Sequence, residues 1–313
     1  QDIKFGVNVG GSMMYNKYSS EDASTNKLSY PNVYSSANSA TTVVYKPLRE
    51  EYAVHSLYGL ANFSYKETFF IDGTLRVDWS STLASPLKNE VSPFFYPSVN
   101  GSVLLSQLFE LPTQISFWKF RASIAGVGGG GNNPYLNSYT YQRLAQFSGG
   151  TSNPTTIPDL NLKYENTVSY ELGTDFRMFK NRLKIDLTAY KNFSYNQILK
   201  TPIDPSSGYQ TQIINAGKVQ NTGFELEANF DILKNKDAFN WSLFGNYTKY
   251  NTRINELPNM VDNLVLSTIY GSRGTVEARV GGRFGDMYGL GYLRNEEGQI
   301  IYKNGLPEYT EDL

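Results

Sequence analysis

Hydrophobic and polar residues alternate along most of this chain, and the segment 168–190 shows the pattern clearly. One parity of positions is apolar and the other is polar as far as the turn residues 180–182, after which the alternation resumes. The apolar parity comprises Val168, Tyr170, Leu172, Thr174, Phe176 and Met178, and then Leu183, Ile185, Leu187 and Ala189. Because successive side chains of a strand point to opposite faces, this segment predicts a β-hairpin with one apolar and one polar face.

The same alternation recurs along the chain and predicts ten strands, while helical patterns are nearly absent. The predicted strands lie at 3–17, 52–66, 68–82, 92–106, 116–127, 164–179, 182–198, 218–233, 238–252 and 276–294. Tight connections alternate with long ones, of which the longest are 18–51, 128–163 and 199–217. That order is typical of an up-and-down barrel with tight turns at one rim and functional loops at the other.

The composition agrees with many strands joined by polar loops. Aromatic residues make up 14% of the chain, and charged residues only 18%, against about 25% in average soluble domains. No run approaches the roughly 20 apolar residues of a transmembrane helix, but strands of a membrane barrel need only one apolar face over about 9–11 residues. The residues favour an outer-membrane barrel and leave a soluble β-protein, such as a sandwich or solenoid, open.

Charge and residue types exclude several classes of function. The 28 Lys and Arg residues nearly balance the 29 Asp and Glu residues and form no basic patch, so we expect no nucleic-acid partner. The chain has no cysteine and one histidine, His55, which removes thiol chemistry and a His/Cys zinc site. The glycine-rich segment 126–134 lacks the Gly-Lys-Ser/Thr ending of a phosphate-binding loop and predicts a flexible loop. We therefore expect no enzyme activity, no metal site and no cofactor.

Two sets of residues are candidates for function. The loop 128–163 combines aromatic rings with amides, which suits oligosaccharides or peptides, although a loop packed on its neighbours fits equally. Its candidate ligand-binding residues are Asn132, Asn133, Tyr135, Asn137, Tyr139, Tyr141 and Gln142. The charged parity of the strands must face water, which fills the lumen of a large barrel. The lumen candidates are Glu171, Asp175, Arg177, Glu225 and Glu227, and lumen lining explains the last two better than a glycosidase pair does.

Two stretches carry a more specific signal. The first reads LKYENTVSYELGTDFR over 162–177 and continues to YNQIL at 195–199; the second reads SSGY at 206–209 and NAGKVQNTGFEL at 215–226. They are followed by GDMYG at 285–289 and NEEGQI at 295–300. In this order they resemble the barrel portion of SusC/RagA-type TonB-dependent outer-membrane transporters. The resemblance is clear over 162–303 and looser over 52–127.

The resemblance implies an all-β fold, an antiparallel transmembrane β-barrel of about 22 strands. It also implies an N-terminal plug domain, energy supply by TonB, and a SusD-like lipoprotein that captures an oligosaccharide or oligopeptide. This chain lacks the plug and the TonB box, and about ten strands cannot close so wide a barrel. We therefore expect residues 1–313 to be an internal part of a single outer-membrane β-barrel domain, with a long loop and hairpin region over 252–313.

Three functions follow from these patterns. The leading hypothesis is a segment of a TonB-dependent importer, a multi-pass barrel in the outer membrane of a Gram-negative bacterium. A passive porin or structural outer-membrane barrel is the first alternative. A soluble β-rich adhesin or carbohydrate-binding module is the second.

Overall fold

A single large sheet dominates the chain. The computed structural model describes residues 2–85, 87, 91–143, 150–215, 217–235, 238–258, 262–269 and 274–310. Nine antiparallel strands form the sheet, which is called the barrel sheet below, and each pairs with the next in sequence. They are β1 (Ile3–Ser24), β2 (Val44–Tyr65), β3 (Phe69–Ser80), β4 (Phe94–Leu104), β5 (Ile115–Gly129), β6 (Glu165–Met178), β7 (Leu183–Tyr195), β8 (Lys218–Leu233) and β9 (Trp241–Glu256).

These nine strands confirm the first nine predicted from the alternation. The largest difference is in the first hairpin, where β1 and β2 pair as far as Ser24 and Val44, inside the predicted loop 18–51. Residues 18–24 are mostly polar on both faces, and all but Ser20 are exposed, so they lack the two-residue period of a half-buried strand. Backbone pairing with the partner strand forms this extension, and pairing is not visible in the hydrophobic pattern.

The connections of the barrel sheet fall into two groups at its opposite ends. The short ones are 66–68, 105–114, 179–182 and 234–240, and the long ones are 25–43, 81–93, 130–164 and 196–217. Lys66 and Glu67 form a two-residue turn with φ of 51° and 53°, which matches the twist of a hairpin. We call the end of the sheet with the short connections the tight rim, and the end with the long connections the long-loop rim.

The tenth predicted strand, 276–294, is wrong as a member of the barrel sheet. The chain reverses at Gly281, which has a φ of 85°, a conformation that glycine adopts without strain. The segments on either side pair with each other in a separate antiparallel sheet, together with a preceding strand. Its three strands are Asn263–Thr268, Gly274–Arg279 and Phe284–Gly289.

Short elements fill the remaining connections. One small sheet combines Thr156–Ile157, Ile198–Pro202 and Thr211–Asn215, and two-residue pairs join Gln142–Arg143 with Thr151–Ser152 and Tyr302–Lys303 with Leu306–Pro307. The helical turns are Ser36–Asn38, Ser81–Leu83, Leu105–Leu108 and Pro205–Ser207. Among the described residues, no helix has the length and apolar character that crossing a membrane requires.

The strand registers give the barrel sheet an apolar face and a polar face. On the apolar face, cross-strand pairs such as Leu57 with Val77 and Phe63 with Ile71 follow one another along the strands. Leu57, Phe63 and Ile71 are exposed and Val77 is half-buried. Leu75 of the same face is 51% exposed, whereas Asp78 on the polar face of the same strand is 5% exposed. The usual relation between burial and polarity is therefore inverted in this sheet.

A small hydrophobic core lies at the long-loop rim instead of between layers. Leu83, Phe94, Leu162 and Ile213 are buried there, and they come from three long connections and the first residue of β4. The Phe94 ring stacks on the Tyr164 ring with centroids 5.0 Å apart. This core packs the long connections against the end of the sheet, so they form a structured layer above it.

Candidate functional site

The five lumen candidates lie on the polar face, where the strand registers bring them together. In β6, Glu171, Asp175 and Arg177 alternate with apolar residues, and Arg177 Nη2 donates to Asp175 Oδ2 at 2.8 Å. Asp175 is opposite Asp186 of β7, which is opposite Glu227 of β8. Glu225 lies two residues farther along β8 on the same face. The polar face thus carries a row of three carboxylates across three strands.

A bidentate ion pair joins β5 to Asp186 of β7, the middle carboxylate of this row. Arg121 of β5 donates from Nη1 and Nη2 to the two oxygens of Asp186 at 2.9 and 2.6 Å, and from Nη2 to Thr188 Oγ1 at 2.6 Å. Its side chain passes over β6 at Gly173, which is the residue directly opposite Arg121. A Cβ on Gly173 would lie 2.5 Å from Arg121 Nε. Because residue 173 is a glycine, the Arg121 guanidinium can reach across β6 to Asp186 of β7.

A second polar network lies nearer the long-loop rim. Arg76 Nε donates to Asp78 Oδ1 at 2.8 Å, and the Tyr96 hydroxyl of β4 donates to Asp78 Oδ2. Arg76 Nη2 also donates to Ser56 Oγ of β2 at 2.8 Å. The buried carboxylate of Asp78 is thus held by charge-assisted hydrogen bonds, which offset the cost of burying its charge. The network fixes three neighbouring strands to one another on the polar face.

The glycine-rich segment contributes to a groove beside this second network. β5 continues to Gly129, two residues farther than predicted, and the loop begins at Gly130. The Thr82 hydroxyl donates to the Gly130 carbonyl at 2.7 Å, and a Cβ on Gly130 would lie 2.5 Å from Thr82 Oγ1. The groove has a volume of about 200 Å³ and is lined by Arg76, Asp78, the segment 128–131 and Asn132.

The loop candidates divide into exposed and packed residues. Asn132, Asn133, Tyr139 and Tyr141 are exposed, with Tyr141 at 69%. Tyr135 is also half exposed, but its hydroxyl lies within hydrogen-bonding distance of the Glu51 backbone.

Asn137 and Gln142 differ from the other loop candidates. Asn137 is 4% exposed, and its amide donates to the carbonyl of Ala84. That bond fastens two long connections together, so Asn137 supports the loop instead of presenting an amide on its surface. Gln142 begins a two-residue strand that pairs with Thr151–Ser152, and its side chain lies outside the described part of the structure.

Sequence reasoning missed the residues that hold the polar face together. Arg121, Asp186, Arg76 and Asp78 each lie on the charged parity of their strand, which is the signal that could have found them. Arg121 and Asp186 are two strands apart, and only the register identifies them as partners. Arg76 and Asp78 are two residues apart on one strand. His55, the single histidine, lies on the apolar face opposite Met13 and Trp79.

Outside the barrel sheet, the carboxylate of Glu277 is held by an arginine of its own strand. Glu277 is buried in the sheet formed by Asn263–Thr268, Gly274–Arg279 and Phe284–Gly289. Arg279 Nε donates to Glu277 Oε2 at 2.7 Å, and Thr275 Oγ1 donates to Oε1 at 2.6 Å. The hydrogen bond from Arg279 is the main reason that the pKa of Glu277 lies below its usual range. The pair stabilises this small sheet at neutral pH.

These features together define a class of protein. A sheet with an exposed apolar face, a bonded polar face and connections sorted by length is part of an up-and-down membrane barrel. The chain belongs to the family described as "TonB dependent receptor-like, beta-barrel", whose sequence model matches residues 2–309. This family forms barrels of the outer membrane and comprises receptors and transporters, so the chain is not an enzyme.

Individual relatives agree with this assignment. The TonB-dependent receptor P3 of Formosa agariphila is 28% identical over 305 residues, which is 92% of this chain and 28% of that protein. SusC of Bacteroides thetaiotaomicron is 24% identical over 80% of the chain and 26% of its own length. The chain thus spans less than a third of these relatives.

The fold likewise matches a solved transporter. The structure of the RagAB peptide transporter superposes with a TM-score of 0.76 and 17% identity, over 99% of this chain and 36% of that one. The expected fold, a section of an all-β barrel of this family, is confirmed.

Proposed function

We propose that residues 1–313 form part of the wall of an importer in the outer membrane of a Gram-negative bacterium. The importer takes up oligosaccharides or oligopeptides together with a SusD-like surface lipoprotein. TonB supplies the energy through a region outside this chain. In this proposal the polar face lines the lumen, the apolar face contacts lipid, and all of 1–313 belongs to one barrel domain.

The observation that carries the proposal is the inverted burial of the barrel sheet. Soluble monomers rarely expose contiguous apolar patches beyond a few hundred Å², yet here exposed apolar side chains follow one another across the strands. Examples from four strands are Val7, Leu57, Leu75 and Leu172, each more than half exposed. Lipid is the environment in which such a face is stable, and a water-filled lumen suits the charged face. No observation favours the soluble adhesin or carbohydrate-binding module.

The two rims give the proposal a direction. Outer-membrane barrels have short periplasmic turns and longer extracellular loops, so the tight rim faces the periplasm and the long-loop rim faces outward. The exposed candidates Asn132, Asn133, Tyr139 and Tyr141 then lie on the outer side, where substrate and a lipoprotein lid arrive. Tyrosine rings beside amides suit the apolar faces and hydroxyl or peptide groups of such substrates.

Cysteine labelling of the full-length protein in intact cells tests the direction. Tyr34→Cys in the connection 25–43 and Ala238→Cys in the turn 234–240 both alter exposed residues, and 1–313 contains no other cysteine. A membrane-impermeant maleimide should label the Tyr34 variant on intact cells. It should label the Ala238 variant only after the outer membrane is permeabilised. The opposite pattern, or equal labelling of both, contradicts the proposed orientation.

A transport assay distinguishes the importer from a passive porin. In cells that depend on the full-length protein for growth on one oligosaccharide or oligopeptide, deleting TonB should abolish growth. The purified protein should bring down a surface lipoprotein and should not conduct ions in a planar bilayer. Growth that continues without TonB, combined with steady conductance, would support the porin instead.

A further inference from the structure

A groove on the apolar face has the size of a ligand site. It has a volume of about 680 Å³, within the range of small-molecule sites. The small side chains of Ala122 and Ala189, and the missing side chain of Gly101, form its floor, while Val99, Ile124 and Leu172 stand around it. A Cβ added to Gly101 would meet nothing within 4 Å. The groove crosses five strands from β4 to β8, a distance of about 19 Å at a strand spacing of roughly 4.8 Å.

Two lysines come together at one end of this groove. Lys191 of β7 lines the groove, and its Nζ lies 5.1 Å from the centroid of the Phe193 ring. Lys218 of β8 places its Nζ 5.1 Å from the same centroid and 5.4 Å from that of Tyr195. Neither lysine forms a salt bridge with any residue in the described ranges. Two cations thus converge on one aromatic ring, and neither is neutralised by an ion pair within the described ranges, although Glu256 of β9 is opposite Lys218 in the register.

The position of the lysines along the strand indicates where they meet the membrane. Lys191 is eight residues from Leu183, the first residue of β7 at the tight rim. At about 3.4 Å per residue and a tilt near 40°, it lies roughly 20 Å above that end. The apolar band of a membrane barrel is about 25 Å tall, so Lys191 lies near its upper border. Lys218 is opposite Tyr195, four residues farther along β7, and its backbone therefore lies roughly 10 Å higher. Lipid headgroups begin at that level.

We propose that this surface binds a phosphorylated glycolipid of the outer leaflet. Lys191 and Lys218 hold its phosphate, the rings of Phe193 and Tyr195 beside them lie at the headgroup level, and one acyl chain occupies the groove along Gly101, Ala122 and Ala189. An anionic headgroup with attached acyl chains is the ligand that matches cations at the end of an apolar groove. The commitment to the outer leaflet rests on the proposed function, which turns the long-loop rim outward.

Native mass spectrometry of the full-length protein in detergent tests the site. The probe is lipid A, a phosphorylated and acylated disaccharide, compared with its dephosphorylated form and with phosphatidylglycerol. The wild-type protein should retain lipid A in preference to both. Lys191→Met with Lys218→Met should weaken retention about 30-fold, as expected for two lysines at a membrane surface. Gly101→Leu, which fills the groove without a clash at Cβ, should also reduce retention.

Two matched variants keep this test specific. Lys249→Met removes a lysine from the apolar face of β9 outside the groove, and Gly73→Leu adds bulk at another glycine of that face whose Cβ would meet nothing. Both should retain lipid A like the wild type, and all variants should keep heat-modifiable migration. Equal retention in the double lysine variant, or equal binding of phosphatidylglycerol, overturns the proposal. The cysteine labelling is independent of lipid, so a failure of the lipid site is distinguishable from a failure of the proposed orientation.

Discussion

At the scale of single residues, the polar face depends on glycines that leave room for long side chains. Gly173 lets Arg121 pass over β6, and Gly10 and Gly223 lie in the same way under the rings of Tyr58 and Tyr190. In each case the large side chain belongs to the residue directly opposite the glycine. The glycines therefore act through their missing side chain, and none of the three has a positive φ.

The Gly173→Ala variant tests this role. Its Cβ would displace the Arg121 guanidinium and so remove the bidentate bond to Asp186. Because both partners are more than a third exposed, we expect a cost of only about 0.5–1 kcal/mol. The temperature at which the full-length protein loses heat-modifiable migration measures it. Gly101→Ala, in open space on the other face, should leave that temperature nearly unchanged.

A double-mutant cycle distinguishes the loss of the Arg121–Asp186 ion pair from any other strain that Gly173→Ala causes. In an Arg121→Met background, Gly173→Ala should have almost no further effect, because the interaction that it disrupts is already absent. Additive costs in the two backgrounds would show that alanine at 173 acts through something other than Arg121.

The sequence predicts the face of such residues but not their partners. The two-residue period assigns Glu171, Asp175 and Arg177 to one face, and the registers agree. The contact between Arg121 and Asp186 joins residues 65 positions apart, and it depends on how far β5, β6 and β7 slide along one another. The hydrophobic pattern excludes a slip of one residue, which would exchange the two faces, but it leaves offsets of two residues open. The paired strands of the structure show which offset is adopted.

At the scale of strands and hairpins, the hydrophobic period is a strong signal wherever one face is apolar. It predicts nine strands of the barrel sheet, but it fails in two places for opposite reasons. The end of the β1–β2 hairpin at the long-loop rim, where 18–24 pairs with 44–50, is strand without regular alternation, because 18–24 is mostly polar on both faces. The segment 276–294 has alternation without one continuous strand, because the chain turns back at Gly281.

A comparison of two leucines tests which face contacts lipid. Leu75 in the middle of β3 lies on the apolar face, and Leu60 of β2 lies on the polar face opposite Thr74, the residue next to Leu75. Leu75→Arg should hinder assembly, at a cost of about 2–4 kcal/mol near the bilayer midplane. Leu60→Arg should be tolerated, since water and the nearby Asp72 can accommodate its charge. The heat-modifiable fraction in outer membranes measures both variants, and equal losses would contradict the assignment of the faces.

At the scale of the whole molecule, the barrel sheet is open at both sides. β1 pairs only with β2, and β9 pairs only with β8, among the strands of the described residues. Ile254 near the end of β9 bonds to the backbone of Gly281 and Gly282, but the rest of each outer strand presents a row of backbone groups without a partner strand among the described residues. Lipid cannot satisfy such groups. In the proposed barrel, closure comes from strands outside residues 1–313, and the chain spans only 28% of its relative P3.

Refolding of the isolated segment tests this dependence on the rest of the barrel. Residues 1–313 expressed alone and diluted into detergent micelles should remain sensitive to protease and show no heat-modifiable band, because nine strands leave two edges unpaired. The full-length protein under the same conditions should give a protease-resistant band that shifts on heating. Adding the remaining part of the barrel in trans should restore some resistance by pairing with β1 and β9. A resistant, heat-modifiable monomer of 1–313 alone would show that these strands close on themselves, and the proposed place of the segment within a wider barrel would then be wrong.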